Sequence, residues 1–236
     1  MRRALGIDPC GLAWRAGSAL CRFGMPSLGQ ILREHAPLLI VDAASARIQA
    51  GLFEPAPGAA FRARWSESTE EAGIGVFRCV EALGVDLGAV RGFAFADSPG
   101  SILGIRTVAM AIRVWCALSA RPVFGYNGLA LLAETQGRPE VTFIADARRD
   151  AWHACRKGVA PRRVTASELT APLAMPEGFR QWSTPPLPVE QVPYRLTELW
   201  PLAADADLLI QTEDPDAFLH EAPRYATWQP RIHEAP

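Results

Sequence analysis

The chain has 236 residues, 49% apolar and 21% charged, enough to bury the core of one large domain or two small ones and unlike a disordered composition. Its 24 Lys plus Arg against 25 Asp plus Glu leave a net charge of −1, which argues against tight autonomous binding of a polyanion, so nucleic acid must be met locally or within a complex. Lys157 is the sole lysine, GxxxxGK[ST] is absent, and no apolar run approaches the roughly 18 residues of a membrane span, which argues against a Walker site and against a membrane protein.

Residues 1–37 have no clear period. Met25 precedes a short amphipathic stretch from Ser27 to Glu34, and two readings are open: translation begins at Met25 with 1–24 an over-called start, or 1–37 is a genuine N-terminal extension. Arg2 and Arg3 are followed by Asp8, Pro9 and Gly11 rather than the apolar heart of a signal peptide. Cys10, Cys21, Cys79, Cys116 and Cys155 are odd in number and form no CxxC pair. They read as free thiols of a cytoplasmic protein, and a zinc site is not expected.

Leu38 to Val41 is an apolar run of strand length, and after turn residues Asp42 to Ser45 the stretch Ile48 to Phe53 completes a hairpin. Phe61, Ala63 and Trp65 alternate with Arg62 and Arg64, giving a third strand with one wet face. From Thr69, Ala72, Val76, Cys79 and Leu83 recur at helical spacing, and Gly84 closes that helix. A strand at Val90–Ala96, a turn at Asp97–Ser101, a long helix to about Ala120 and a strand at Val123–Tyr126 follow. At Val141 the opening recurs: Thr142-Phe143-Ile144-Ala145-Asp146-Ala147 parallels Leu38-Leu39-Ile40-Val41-Asp42-Ala43, with a hairpin strand at Ala151–Arg156 and a third near Arg162–Thr165. Pro172, Pro176, Pro185, Pro186, Pro188 and Pro193 then predict mostly loop, with a short helix at Leu196–Ala203 and a buried strand at Asp207–Ile210.

Two βββαβα units in tandem are the layout of the duplicated ribonuclease H-like α/β fold (actin/Hsp70-type, ASKHA), here with a truncated second domain. The expected division is the extension 1–37, a first ribonuclease H-like domain at 38–130 and a smaller second one at 131–236. Nucleotide-using members of that fold hold phosphate at each hairpin through small residues that let backbone N–H groups approach. Neither turn here, Asp42-Ala43-Ala44-Ser45 or Asp146-Ala147-Arg148-Arg149, has glycine or threonine. Asp42 and Asp146 either hold a metal through water or cap their own turns. Ser98, Gly100 and Ser101 precede a helix N-terminus, which attracts an anion or is simply a well-built turn. These five are the candidate vestigial phosphate-binding residues.

The helix after Ser101 is apolar almost all round, more than one sheet requires. The surplus is either buried between domains or offered to a partner helix, and Val76, Cys79 and Leu83 with Ile105, Ala109, Ile112 and Trp115 are the candidate partner-binding surface, a four-helix contact with another subunit. His35, His153, His220 and His233 are isolated, without HExxH or HxxxH spacing, and no serine sits in GxSxG. No catalytic residue, metal site or cofactor is implied. Arg148, Arg149, Arg156, Lys157, Arg162 and Arg163 form a basic stretch, read as a solvated face or as a contact for RNA or an acidic partner.

Ser98-Pro99-Gly100-Ser101 with Gly104 and Arg106 resembles the GPGSFTGxR signature of the TsaB family, the glycoprotease-like proteins of tRNA threonylcarbamoyladenosine (t6A) biosynthesis. Leu39-Ile40-Val41-Asp42-Ala43-Ala44-Ser45 is similar to that family's first hairpin and Asp146-Ala147-Arg148-Arg149-Asp150 to its DARRGE segment. The likeness runs over about 38–157. Ile102 and Leu103 stand for the usual Phe and Thr, Ala43 for a Thr, and no histidine lies around Ser66–Ser68, so the chain looks like a divergent member. The resemblance implies a non-catalytic scaffold or activator subunit, a pseudo-enzyme that binds the catalytic TsaD-type subunit, with a TsaE-type ATPase in the assembly and tRNA met only there. Two alternatives stay open: a nucleotide-dependent enzyme of the same superfold, a kinase or carbamoyltransferase using Asp42 and Asp146, and a homodimeric interaction protein.

Overall fold

The computed structural model describes residues 25–57 and 59–218. The expectations for residues 1–24, Cys10, Cys21, His220 and His233 lie outside them. The first element is a helix, α1 (Leu28–His35), started by a capping box in which Ser27 N–H donates to Gln30 Oε1 and Gln30 N–H to Ser27 Oγ. Its Leu28, Ile31 and Leu32 are buried in the main core.

Strand β1 (Leu38–Asp42) pairs antiparallel with β2 (Ile48–Ala56), and β2 with β3 (Ala59–Ser68). Helix α2 (Ala72–Ala82) returns the chain to β4 (Gly92–Ser98), parallel to β1, and α3 (Ile102–Ala117) leads to β5 (Val123–Asn127), parallel to β4. All of β1 is buried because it is central and covered on both faces, which is why it reads as an unbroken apolar run.

The proline-free stretch after β5 forms a helix that the hydrophobic pattern does not reveal, α4 (Gly128–Thr135), capped by Asn127 Oδ1 accepting from Leu129 and Ala130 N–H. It packs between β4 and β5 on one side and the strands of a second sheet on the other. That sheet comprises β6 (Thr142–Asp146), β7 (Ala151–Arg156), β8 (Val159–Thr165), β9 (Leu173–Pro176) and β10 (Val189–Val192). The Pro-rich segment therefore contributes two strands where mostly loop was expected; Pro172, Pro185 and Pro186 sit between strands and Pro176 ends one.

The two sheets repeat one pattern. The first runs β11-β5-β4-β1-β2-β3 and the second β10-β9-β6-β7-β8, so the third, second, first, fourth and fifth strands of each unit are neighbours in that order with matching senses. The connections differ: a single 3-10 turn (Ala166–Glu168) stands where α2 does in the first unit, and an irregular 177–188 segment where α3 does. Beyond β10, α5 (Leu196–Leu202) and β11 (Leu209–Thr212) return to the first unit. β11 pairs antiparallel with β5, and Trp200 meets Tyr126 edge-to-face at 4.9 Å. Residues assigned from sequence to the second unit thus complete the first sheet. The main core runs from α1 to Leu209, and a small cluster, among it Ile144, Trp152, Val164, Leu173 and Met175, fills the outer face of the second sheet.

Candidate functional site

Asp42 ends β1, Asp97 and Ser98 end β4, Asn127 ends β5 and Asp146 ends β6, so the candidate turn residues lie at the C-terminal ends of these strands. Asp42 is wholly buried. Its Oδ1 accepts Ala44 N–H at 2.8 Å, and its Oδ2 accepts the hydroxyls of Tyr126 at 2.8 Å and Tyr194 at 2.7 Å. Gln49 extends the network, donating to Tyr194 O and accepting Leu196 N–H. Burial pushes the Asp42 carboxyl above its ordinary value, and the three hydrogen bonds only partly offset this. Burial and the neighbouring carboxyl push both tyrosines well above theirs. The carboxyl is a clasp joining β1, β5 and the segment before α5.

Asp146, at the same position of the second unit, meets a different set. Oδ1 accepts Arg148 N–H at 2.6 Å and Oδ2 accepts the N–H groups of Trp182 and Ser183 at 2.8 and 2.5 Å. Burial opposes ionisation, but these backbone bonds outweigh it and hold the carboxyl below the usual carboxylate range. The two aspartates therefore both cap their own turns, each accepting the N–H two residues on. Phosphoryl chemistry using them would require dismantling both caps.

Gly100, Ser101 and Gly104 do gather at the first hairpin turn, but as packing. Ser101 N–H donates to Ala44 O at 2.8 Å, and Ser101 Oγ caps Gly104 N–H at 3.2 Å. Gly100 has φ 145°; a Cβ there would lie 2.3 Å from Ala44 O, and one at Gly104 2.1 Å from Ala43 O. The Ala43–Ala44 backbone thus packs directly against both glycines. Ser98 is separate: its hydroxyl donates to Asp97 Oδ1 at 2.7 Å and accepts Asn127 Nδ2 at 3.0 Å.

This trio from the ends of β4 and β5 borders a cavity of about 370 Å³ also lined by Glu134, Cys155 and Arg156. Burial pushes the Asp97 carboxyl up to about 7, against the Ser98 hydrogen bond. Sequence reasoning misses Asp97 because the signature draws attention to the residues after it; the available signal is an acidic residue at the C-terminal end of a buried parallel strand, where open α/β sheets bind ligands. Among the described residues no group of three or more His, Cys, Asp or Glu could hold a metal ion, and no helix is long and apolar enough to cross a membrane.

The partner-binding candidates need correction. Val76, Cys79, Leu83, Ile105, Ala109 and Ile112 are all buried within the monomer, and Trp115 is half-buried between Phe77 and Phe93, with ring centroids 6.4 and 5.6 Å away. They form the stripes by which α2 and α3 pack on the sheet and on each other. Helical periodicity marks several stripes on an all-apolar helix and does not say which one meets the sheet. The outward surface is instead Ile74 and Phe77 on α2, with Leu103, Met110 and Val114 on α3 and Leu118 just past its end; Val114 is 64% exposed and Leu118 98%.

No family model matches the chain, and no curated protein matches it. Among solved structures, YeaZ from Pseudomonas aeruginosa is similar at 21% identity with a TM-score of 0.49, covering 60% of this chain and 76% of that one. A structure titled as an uncharacterized protein with similarity to peptidase YEAZ from Pseudomonas aeruginosa is similar at 20% identity with a TM-score of 0.47, over 59% and 74% of the respective chains.

Proposed function

We propose that this chain is a non-catalytic, TsaB-like scaffold subunit of the t6A modification machinery. In this reading it has a duplicated ribonuclease H-like fold with a truncated second unit, and docks on a TsaD-type catalytic subunit through the outward face of α2 and α3. A TsaE-type ATPase joins the assembly, and tRNA is met there. The signature resemblance over Ser98 to Arg106 motivates the reading. The observation that carries it is the combination of spent carboxylates with an apolar outer face: Asp42 and Asp146 are consumed as caps, while Ile74, Phe77, Met110 and Val114, on the packed helices α2 and α3, are 49 to 64% exposed. Contiguous apolar surface of this kind marks a binding face.

Val114→Arg tests it. The side chain points outward, so the variant is expected to keep its circular-dichroism spectrum and melting temperature while losing co-purification with the TsaD-type subunit. A complex that survives intact refutes the proposal. Ala109→Arg cannot serve, because Ala109 is buried and an arginine there would disrupt the core. A dimer of the chain alone that Val114→Arg dissociates, with no partner captured, would replace the reading with that of a homodimeric protein.

A further inference from the structure

Among the described residues, non-glycine side chains with positive φ occur in one place, the β6–β7 turn, at Arg148 (61°), Arg149 (54°) and Asp150 (55°). Left-handed backbone disfavours residues with a Cβ, and tight hairpins normally use Asn or Gly there. The surrounding frame imposes the geometry: Ala147 N–H donates to Ala151 O at 2.9 Å, Ala151 N–H to Arg148 O at 3.2 Å, and Asp146 holds Arg148 N–H. Arginine offers such a turn no backbone advantage, so its presence points to the side chains.

Those side chains meet an aromatic ring. The Arg148 guanidinium lies 4.3 Å from the centroid of the Trp182 ring, an indole 51% exposed, and Arg163 Nη2 donates to Arg148 O at 3.4 Å. Arg149, next to Arg148 in sequence, and Arg180, two residues before Trp182, are exposed. The opposing charge in the turn is Asp150, since the Asp146 carboxylate is turned inward onto backbone N–H groups. Farther along the same strands Lys157 pairs with Glu134 and Arg162 with Glu168, and the charge of the turn itself is that of Arg148, Arg149 and Asp150. Among the described residues no helix covers the cluster: in the first unit α3 packs on the equivalent turn through Gly100 and Gly104, whereas here the 177–188 segment supplies Trp182.

We propose that this cluster is a binding site for single-stranded RNA, with Arg148 and Arg149 meeting backbone phosphates and a base stacking on Trp182 or on the guanidinium layered over it. Planar guanidinium forks match phosphate oxygens, and an exposed indole next to them supplies the π-face that unpaired bases use. An acidic peptide would satisfy the cations and leave the indole without a role. The site is independent of the α2–α3 face, so the two proposals fail separately.

The test is fluorescence anisotropy of a labelled, mixed-sequence 12-nucleotide single-stranded RNA titrated with the full chain at low salt. Saturable binding is expected, with a log–log salt slope of about −1.4 for two phosphate contacts. Trp182→Leu should weaken it by about tenfold, and Arg149→Glu should weaken it and flatten the slope by at least about 0.7. Arg78→Glu, on α2, should leave it unchanged. The inference is overturned by absence of saturable binding at millimolar protein, or by binding indifferent to both Trp182→Leu and Arg149→Glu. Displacement of the RNA by polyglutamate, with Trp182→Leu without effect, also overturns it and indicates an acidic partner.

Discussion

Replacing Asp97 by Asn should make the protein more stable at neutral pH and leave it unchanged in acid. In the folded chain the carboxyl holds its proton up to about pH 7, against a value of 3.8 when free. A group whose folded value is raised contributes its stability in full below the unfolded value and loses it as pH climbs toward the folded one. Wild-type stability therefore declines between about pH 4 and 7. Every tenfold difference in proton affinity between the folded and unfolded chain corresponds to about 1.4 kcal/mol, so the loss is about 4 kcal/mol at most. It is an upper figure because the carboxyl borders a cavity wide enough for water. Asparagine keeps the acceptor that Ser98 Oγ uses at 2.7 Å and cannot ionise. In thermal melts at pH 8 the variant should gain up to about 10 °C over wild type, and the curves should converge at pH 4. Equal melting temperatures at pH 8, or a difference that grows in acid, would refute the placement of this carboxyl in a desolvated pocket.

Gly104→Ala places a Cβ 2.1 Å from Ala43 O and should cost more than about 2 kcal/mol in denaturant unfolding, whereas Gly73→Ala, with nothing within 4 Å of its Cβ, should gain about 0.5 kcal/mol. Asp42→Ala strands two tyrosine hydroxyls and the Ala44 N–H, a loss of about 3 to 5 kcal/mol by urea titration, against about 1 kcal/mol for Tyr194→Phe. Calorimetry with ATP and Mg²⁺ should show no binding that depends on Asp146; a submillimolar site lost in Asp146→Ala would return the enzyme reading to first place.

The strands of the first unit were legible because buried ones read as apolar runs and β3 alternates, and the recurrence of Phe143-Ile144-Ala145-Asp146 after Leu39-Ile40-Val41-Asp42 placed both hairpins. Helix α4 was less legible: Leu129, Leu131 and Leu132 are all buried between two layers, and such a helix has no polar face to give it a period. Strands β9 and β10 were hidden by prolines that lie at their ends. The Asp42 clasp joins Tyr126 and Tyr194, 84 and 152 residues away, a contact that local pattern cannot express. The same limit misassigned the outward stripe of α3, whose orientation is set by the distant strands it covers.

One difference between the units accounts for the divergent fates of two equivalent aspartates. Where α3 follows β4, its glycines press the first turn shut, Asp42 is buried among tyrosines, and its carboxyl is pushed up. Where an irregular segment follows β9, backbone N–H groups reach Asp146 and the carboxyl is held down as an anion. With an irregular segment rather than a helix after β9, the second unit has an ionised cap and, among the described residues, a turn without a helix over it, the turn that carries Arg148 and Arg149. Burial and hydrogen bonding act on both carboxyls, and the local cover decides which prevails. It follows that shortening the 177–188 segment to remove Trp182 and Ser183 should raise the Asp146 value toward that of an ordinary buried acid. Carboxyl carbon-13 titration by NMR would read this directly, and an unmoved Asp146 resonance would show that the turn, rather than the segment, sets its charge.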